Sequence, residues 1–253
     1  MMIALKPKFL HGVKIYPVGL DDALKVAVQY IPNKDGDYFC FVNVHLLMES
    51  QKDEKLIEIL NKSAGNFPDG MGVAWALKLF GYKFKGRVRG ADFMLRLCEY
   101  AERNGLKIFL YGNTHKTLLI LKKKLETMFP KIMIVGMISP PFRPLAKEED
   151  ELYIRQINDS GADILFVSLG APKQERWMYE HRGKIKPLQF GVGAAFDFIT
   201  GKVKQAPRWM QNLGLEWLFR LPQQPSKTIY RMSLVPKFIL MTVRSWIKNN
   251  RYK

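Results

Sequence analysis

The sequence has few cysteines and no long apolar run, and both shortages narrow the class of protein. Two of the 253 residues are cysteine, Cys40 and Cys98, and both stand among apolar neighbours. Lone cysteines in such surroundings are small buried side chains, which indicates a reducing compartment and no disulfide framework. The sequence has no apolar run of about eighteen residues and no signal-peptide pattern at its N-terminus. We therefore expect a cytoplasmic protein without a membrane-spanning helix.

The common motifs for metals and nucleotides are also missing. The four histidines are scattered and match no metal-ligand spacing, and no Ser/His/Asp arrangement stands out. The segment 191–196 begins like a dinucleotide fingerprint but lacks its third glycine, and no P-loop pattern occurs. Asp35 and Asp37 resemble the metal clamp of some sugar transferases, but their neighbours favour an exposed turn. We predict no metal site and no cofactor.

Acidic residues are scarce, above all near the C-terminus. The chain has 40 Lys and Arg against 23 Asp and Glu, a formal charge of +17. Residues 202–253 hold eleven of the basic residues, seven aromatic residues and a single acid, Glu216. Basic residues interleaved with aromatics suit nucleic acid, a phosphorylated ligand or an anionic membrane surface. Charge alone is explained as well by a solvated basic face.

The first two hundred residues alternate short apolar runs with amphipathic stretches. The runs are typical of strands buried on both faces, and they cover residues 13–18, 38–43, 107–112, 132–137, 164–170 and 188–193. The amphipathic stretches predict helices over residues 20–30, 53–62, 72–80, 91–104, 116–128, 147–159 and 172–181. This alternation predicts an α/β fold, a Rossmann-like, mostly parallel sheet flanked by helices, over residues 1–201.

Residues 202–253 differ from this core, and we call them the appendage. Strand patterns end near Gly201, and the appendage is predicted to form short helices broken at its prolines, which include Pro236. Between residues 229 and 247 it carries apolar side chains with Lys and Arg among them. This pattern suits contact with an anionic membrane surface, and packing against the core or a second subunit is the alternative.

Small and polar residues follow several predicted strands. Ligands of an open α/β sheet bind beyond the carboxyl ends of its strands, where helix N-termini offer free N–H groups to a phosphate. Each glycine taken alone is explained as well by a turn, and Asp197 as well by a helix cap. Together these positions predict a nucleotide-sized crevice, and they are Asn43, Gly112, Gly170, Gln174, Gly193 and Asp197.

Two glycine-framed loops carry charge just before predicted helices. In the first, PDGMG over residues 68–72, Asp69 stands in a tight turn, where a helix cap is the simpler explanation. In the second, GRVRGAD over residues 86–92, Arg87 and Arg89 stand between glycines. Both loops are candidates for the chemistry of a site.

From about Leu10 to its end the chain resembles the WecG/TagA/CpsF glycosyltransferase family. The motifs occur in the family's order and spacing, and they are PDGMGV, GRVRGADF, KIFLYG, ADILFVSLGAPKQERWM, GVGAAFDFITGKVKQAPRWM and GLEWLFRLPQQPSK. The resemblance implies a metal-independent, inverting transferase that moves a sugar from a UDP-sugar to an undecaprenyl-diphosphate-linked acceptor in cell-wall or surface-polysaccharide synthesis. It also implies a Rossmann-like body with an appendage that meets the inner face of the cell membrane.

The resemblance implies roles for residues of the core. Asp69 matches the family's proposed catalytic base, and its glycine-framed turn leads us to expect an accessible carboxylate. Asn43 and Arg87 match pocket residues, and Gln174 matches a residue at the nucleotide site. Asp197 is a second candidate acid.

The resemblance extends to the appendage. Arg220 and Lys227 match basic residues that hold the UDP diphosphate, and we expect Arg231 to assist them. The chain departs from the family's pattern at Phe41, Gln224, Lys227 and Tyr230. These departures leave N-acetylmannosamine, its uronic acid and glucose open as the sugar.

Two other function classes fit part of the sequence. The α/β alternation alone fits an NAD-type oxidoreductase, although the broken glycine fingerprint argues against it. The charge alone fits a non-catalytic nucleic-acid binder. The resemblance favours a UDP-sugar, a lipid-linked acceptor and a membrane surface as partners, with no nucleic acid, and leaves a homo-oligomer open.

Overall fold

The computed structural model describes residues 6–83 and 86–250 and places a parallel sheet between two layers of helices. Its strands are β3 (Tyr38–Val42), β4 (Gly65–Pro68), β5 (Lys107–Gly112), β6 (Met133–Ile138), β7 (Ile164–Ser168) and β8 (Leu188–Gly191). They lie in the order β4-β3-β8-β7-β5-β6, and every neighbouring pair is parallel. The predicted fold class is confirmed.

The sheet differs from the prediction at one edge. The predicted strand 13–18 is not part of it, because β2 (Val13–Ile15) pairs instead with β1 (Lys8–Leu10) in a separate antiparallel ribbon. The edge strand β4 was not predicted, because glycine and proline are poor strand formers. Gly65 is needed there, since a Cβ would lie 2.7 Å from the Phe39 ring. Pro68 is tolerated because β4 has only one strand neighbour in this sheet.

Helices follow most of the strands and cover both faces of the sheet. They are α1 (Leu20–Val28), α2 (Val44–Ser50), α3 (Glu54–Lys62), α4 (Met71–Leu79), α5 (Gly90–Asn104), α6 (His115–Met128), α7 (Lys147–Asp159), α8 (Lys173–His181) and α9 (Ala195–Thr200). The seven predicted helices correspond to α1 and α3–α8, with ends that differ by at most two residues. The short helices α2 and α9 start within a few residues of a strand end and were not predicted.

Strand side chains alternate between two apolar cores, one on each face of the sheet. Phe39 and Phe41 belong to the core under α1, α5, α6 and α9. Tyr38, Cys40 and Val42 belong to the core under α2, α3, α4, α7 and α8. This burial on both faces is why the strands are nearly continuous apolar runs in the sequence.

The appendage contains α10 (Arg208–Asn212), α11 (Glu216–Arg220) and α12 (Pro225–Asn250). The prediction that Pro236 breaks a helix is wrong, because α12 runs through it without interruption. A proline inside a helix costs about 3 kcal/mol. The neighbouring Leu234 and Phe238 offset this cost, since both are buried in the core beneath α2 and α4.

Polar contacts also join α12 to the body. The Tyr230 hydroxyl donates to Glu49 at 2.5 Å, and His11 Nε2 lies 3.0 Å from the Thr242 hydroxyl. In the described parts of the chain, no helix combines the length and the apolar character needed to cross a bilayer.

Candidate active site

The carboxyl ends of the six parallel strands meet at one edge of the sheet and line a cleft of about 410 Å³, which we call the strand-end cleft. Each strand contributes a lining residue just beyond its end. In sheet order these residues are Asp69 (β4), Asn43 (β3), Gly193 (β8), Gly170 (β7), Asn113 (β5) and Phe142 (β6). This is the edge at which open α/β sheets bind their ligands.

Cations outnumber acids in the strand-end cleft. Its described lining has six basic side chains and three acidic ones, namely Arg89, Lys173, Lys202, Arg220, Lys227 and Arg231 against Asp69, Asp197 and Glu216. Four of the six cations belong to the appendage. Such a surplus attracts an anion and stabilises negative charge that develops on a bound group.

Gly170 leaves the chain open where α8 begins. Its φ is +81°, a conformation that favours glycine, and apart from its two chain neighbours no atom of the described residues lies within 4 Å of the position of a Cβ. The N-terminus of α8 follows within three residues and its first residue, Lys173, lines the cleft, while Gln174 N–H already donates to the Gly170 carbonyl at 2.9 Å. A phosphate group is suited to this position.

Gln174 is buried and holds the loop after β8. Its Nε2 group donates to the Gly191 carbonyl at 2.7 Å and to Glu175 at 2.9 Å, and its Oε1 accepts from Gly193 N–H at 3.1 Å. The first two of these bonds use both Nε2 hydrogens, and the third occupies Oε1. The geometry therefore favours a positioning role for Gln174 over direct contact with a nucleotide.

Gly112 is needed for close packing. A Cβ at this residue would lie 2.5 Å from the Ser168 carbonyl oxygen, and its φ is +111°. Gly112 is not among the residues that line the strand-end cleft, but the following Asn113 is. Asn113 Nδ2 donates to the carboxylate of Asp197 at 2.9 Å, and Lys202 lies 3.4 Å from the same oxygen.

Asp69 is held rigidly at the end of the edge strand. Its N–H donates to the Val42 carbonyl at 2.9 Å, which extends the β3–β4 ladder by one bond. Gly70 then turns the chain into α4 with a φ of +83°. The side chain lines the cleft but is half-buried, less accessible than its glycine-framed turn led us to expect.

Burial raises the pKa of Asp69 from 3.8 to about 6, with a further rise from the nearby Glu216 carboxylate. The guanidinium groups of Arg220, Arg87 and Arg89 oppose this rise. A carboxylate with a pKa just below 7 is mostly ionised at neutral pH and is a stronger base than an ordinary aspartate. Its environment suits a general base.

Glu216 was not singled out as a site residue, although the appendage brings it next to Asp69. Its Oε1 lies 3.0 Å from Arg87 Nη2, and its Oε2 accepts from Arg220 Nη2 at 3.3 Å. Glu216 thus joins an arginine of the body to one of the appendage. The sequence did contain a signal for Glu216, because it is the single acid in a segment with eleven basic residues.

Asn43 and His45 stand at the start of α2. The Asn43 side chain caps this helix by accepting from Leu46 N–H at 3.0 Å, and it also lines the cleft. His45 lines the cleft as well, and its ring meets Tyr230 of α12 edge to face at 5.9 Å. Burial lowers the pKa of His45, and Arg231 lowers it further. Sequence reasoning missed His45 because an isolated histidine carries no spacing signal.

Three phenylalanines border the strand-end cleft, Phe41, Phe142 and Phe198, and the first two differ in exposure. Phe41, which stands where the family usually has Thr, is buried with its ring 5.1 Å from that of Phe93. Phe142 is 87% exposed in the loop after β6, in a run of prolines. The sequence offered one signal for Phe142. It is a large apolar residue in a proline-rich segment, where a side chain is not expected to be buried.

A second cleft opens on the other side of Asp69. It has a volume of about 680 Å³ and lies between α4 and the appendage, and we call it the apolar cleft. Both clefts are lined by the same six residues at their junction, which are Asn43, His45, Asp69, Glu216, Arg220 and Arg231. Lys227 lines only the strand-end cleft.

Asp35 and Asp37 lie away from both clefts. Asp35 accepts from Asp37 N–H at 3.2 Å, as in a turn, and Asp37 pairs with Arg182 at 2.7 Å. In residues 6–83 and 86–250, no group of three or more His, Cys, Asp or Glu is arranged to hold a metal ion.

A parallel sheet whose carboxyl edge carries a carboxylate among arginines is suited to anionic ligands. The profile of the glycosyl transferase WecG/TagA/CpsF family matches residues 8–252. The chain therefore belongs to this family of glycosyltransferases, and the resemblance found in its motifs is confirmed. This membership favours a transferase over an oxidoreductase.

The chain is also similar to an enzyme of Bacillus subtilis (strain 168), the N-acetylglucosaminyldiphosphoundecaprenol N-acetyl-beta-D-mannosaminyltransferase. The two are 31% identical over 216 residues, which cover 85% of this chain and 82% of the relative. The name of that enzyme describes transfer of an N-acetylmannosamine unit to a lipid-diphosphate-linked sugar.

Proposed function

We propose that this glycosyltransferase moves N-acetylmannosamine from its UDP derivative to an N-acetylglucosamine linked through a diphosphate to undecaprenol. The single observation that carries the proposal is the position of Asp69, where a cation-rich cleft meets an apolar one. A donor with a diphosphate suits the first cleft and a lipid-linked acceptor suits the second. The B. subtilis relative supports the choice of sugar and acceptor.

The donor occupies the strand-end cleft in this proposal. Its diphosphate lies between the N-terminus of α8 and the cations Arg220, Lys227 and Arg231. Its uracil ring stacks on Phe142, because a ring that is 87% exposed beside a polar cleft is suited to stacking on a base. Phe41 lies among the residues that would border the sugar.

Transfer then needs a base and a stabilised leaving group. Asp69 takes the proton from the acceptor hydroxyl, whose oxygen attacks the anomeric carbon from the side opposite UDP. The bond to UDP breaks with both electrons staying on the diphosphate, so the sugar's anomeric configuration is inverted. Arginine and lysine side chains stabilise the new negative charge, and the proposal needs no metal.

The appendage also fits a peripheral position on the inner face of the membrane. Leu240 and Ile247 are exposed. They lie on the same side of α12, because a separation of seven residues is close to two helical turns. Lys237, Arg244 and Lys248 are exposed on the same helix. Each basic residue near an anionic surface contributes about 1 kcal/mol, so these three contribute about 3 kcal/mol, and the exposed apolar side chains of the helix add to this.

Transfer by the purified full-length chain tests the proposal. It is mixed with a UDP-sugar and a short-chain N-acetylglucosamine diphosphate lipid, and UDP release and the disaccharide product are measured. UDP-N-acetylmannosamine should react in the presence of EDTA, while its uronic acid and UDP-glucose serve as competing donors. Absence of product with all three donors would contradict the proposed function, and dependence on added metal would contradict the mechanism.

A further inference from the structure

The apolar cleft has firm walls on two sides. One wall is α4 of the body, and the other is formed by α11 and α12 of the appendage. The turn at Gly214 lies against α4, since a Cβ there would be 3.4 Å from the Trp75 ring and 3.5 Å from Met71. The cleft is therefore a built feature of the fold and not a chance hollow between two mobile parts.

Several large apolar side chains of the cleft remain exposed. The most exposed are Trp75, Leu79, Leu213, Ile239 and Val243, with exposed fractions of 54%, 42%, 59%, 54% and 38%. Apolar surface gathered in a concavity, and bordered by charged groups, marks a site for an apolar ligand.

The ends of the cleft restrict what can fill it. Its inner end holds Asp69, Arg220 and Arg231, so the ligand must have a polar, anionic end next to the catalytic carboxylate. The rest of the lining requires an apolar body that follows directly from that end. A flat bilayer surface does not enter such a cleft, and the exposed Leu240 and Ile247 lie outside it.

We propose that the apolar cleft binds the first isoprene units of the acceptor's lipid chain, an inference that rests on the proposed function. The acceptor's sugar hydroxyl lies at Asp69, and its diphosphate lies near Arg231 at the junction of the clefts. Its chain then leaves along α12 between Trp75 and Ile239. The enzyme thus recognises the lipid itself and not only the sugar diphosphate at the membrane surface.

The test compares acceptors that share one sugar diphosphate and differ in chain length. Chains of one, two and three isoprene units are used without membranes and below the concentration at which they form micelles. The KM for the acceptor should fall at least about tenfold from one to three units, because each buried CH₂ is favourable. The KM for the donor should stay constant over the series.

Substitutions assign this effect to the cleft. Ile239→Asn should raise the KM of the three-unit acceptor at least about tenfold and leave that of the one-unit acceptor nearly unchanged. Ile120→Asn, on α6 at the other face of the sheet, is the matched control, since Ile120 is 40% exposed and outside both clefts. Equal thermal unfolding of the two variants excludes a folding defect.

Each outcome separates this inference from the proposed function. Equal KM values for all chain lengths, with transfer intact, overturn the inference and leave the proposed function standing. The same holds if Leu240→Asn, outside the cleft, lowers the chain-length effect as much as Ile239→Asn does. No transfer to any acceptor overturns the proposed function, and the inference falls with it.

Discussion

The body and the appendage handle apolar side chains in opposite ways. In the body most large apolar side chains are buried in two cores on either face of the sheet. In the described part of the appendage the only buried apolar side chains are Ala206, Leu234 and Phe238, while nine of the eighteen exposed large apolar side chains among the described residues lie there. The body is thus packed on itself, and the appendage presents apolar surface outward.

The two regions also divide the charges of the candidate site. The body supplies Asp69 on a strand end whose backbone is part of the sheet ladder. The appendage supplies Arg220, Lys227 and Arg231 from helices at the surface. A base needs a fixed position and a tuned pKa, whereas counter-charges for a departing diphosphate act over a longer distance.

The largest effect is expected at the body's carboxylate. Asp69→Asn keeps the shape of the side chain but removes its basicity, so kcat should fall about 10² to 10⁴-fold while donor affinity changes little. Steady-state transfer rates and UDP titration calorimetry measure the two quantities. Near-normal turnover would move the role of base to Asp197 or another group.

A smaller loss is expected when the appendage loses one counter-charge. Arg220→Ala should lower kcat on the order of 10 to 10²-fold, since other cations remain around the departing diphosphate. Vesicle binding should persist for the same reason. Arg208→Ala is the control, because Arg208 is an exposed cation of the appendage that lines neither cleft. Equal losses in the two variants would show that only the total charge matters.

The pH dependence of the free energy of unfolding is expected to come mainly from a buried acid of the body, Glu175. Burial raises the pKa of Glu175 from 4.5 to about 7. The folded state therefore favours the protonated form, and the stability this gives is present below pH 4.5 and is lost as the pH rises through about 7. The full loss is roughly 3 kcal/mol.

Glu175→Gln removes this dependence because the side chain stays neutral. Its midpoint of urea unfolding should stay nearly flat between pH 6.5 and 8.5, while that of the unchanged protein falls. The free energy of unfolding of the unchanged protein drops there by about 1 kcal/mol, the last part of the total, since most of the loss occurs between pH 4.5 and 7. Asp69 contributes little in this window, since its pKa of about 6 lies below it. Glu180→Gln, at an exposed position of the same helix, should behave like the unchanged protein.

The smallest effect concerns the point where the two regions meet. Glu216→Gln removes a negative charge that raises the pKa of Asp69, so the acid limb of the kcat/KM profile should move to lower pH. The displacement should be part of the interval between 3.8 and about 6. Asp197→Asn tests specificity, because Asp197 does not contribute to this rise. An unmoved limb in Glu216→Gln would mean that the appendage does not tune the base.

Sequence patterns predicted the parts of the fold that depend on local periodicity. The strands β5, β7 and β8 are apolar because both faces of each are buried, and the helices around them are amphipathic. β4 was not predicted, because glycine has a low strand propensity. Gly65 is suitable there because the Phe39 ring approaches it closely, which no local pattern shows. The predicted helix break at Pro236 was wrong for a similar reason, since the packing of Phe238 outweighs the low helix propensity of proline.

The residues of the candidate site also fall into those that local motifs predicted and those that depend on long-range packing. Asp69, Arg87 and Arg220 were predicted because they stand in recognisable motifs, and the structure brings all three close to Glu216. Gly112 was expected in the crevice, but its lack of a side chain serves the packing of β5 against β7. Glu216 depends on how α11 docks on the body, a long-range contact that no local pattern encodes.

The surplus of positive charge in the strand-end cleft has a consequence for the handling of the protein. Six cations stand close to three acids, so the folded chain repels itself there in the absence of a bound anion. Inorganic phosphate or pyrophosphate relieves this repulsion by mass action, by about 2.7 kcal/mol at a hundred times its dissociation constant. A melting temperature measured in phosphate should therefore exceed one measured in an amine buffer at equal ionic strength. The expected shift makes the anion of the buffer a variable of the experiment, and its concentration belongs with every Tm value.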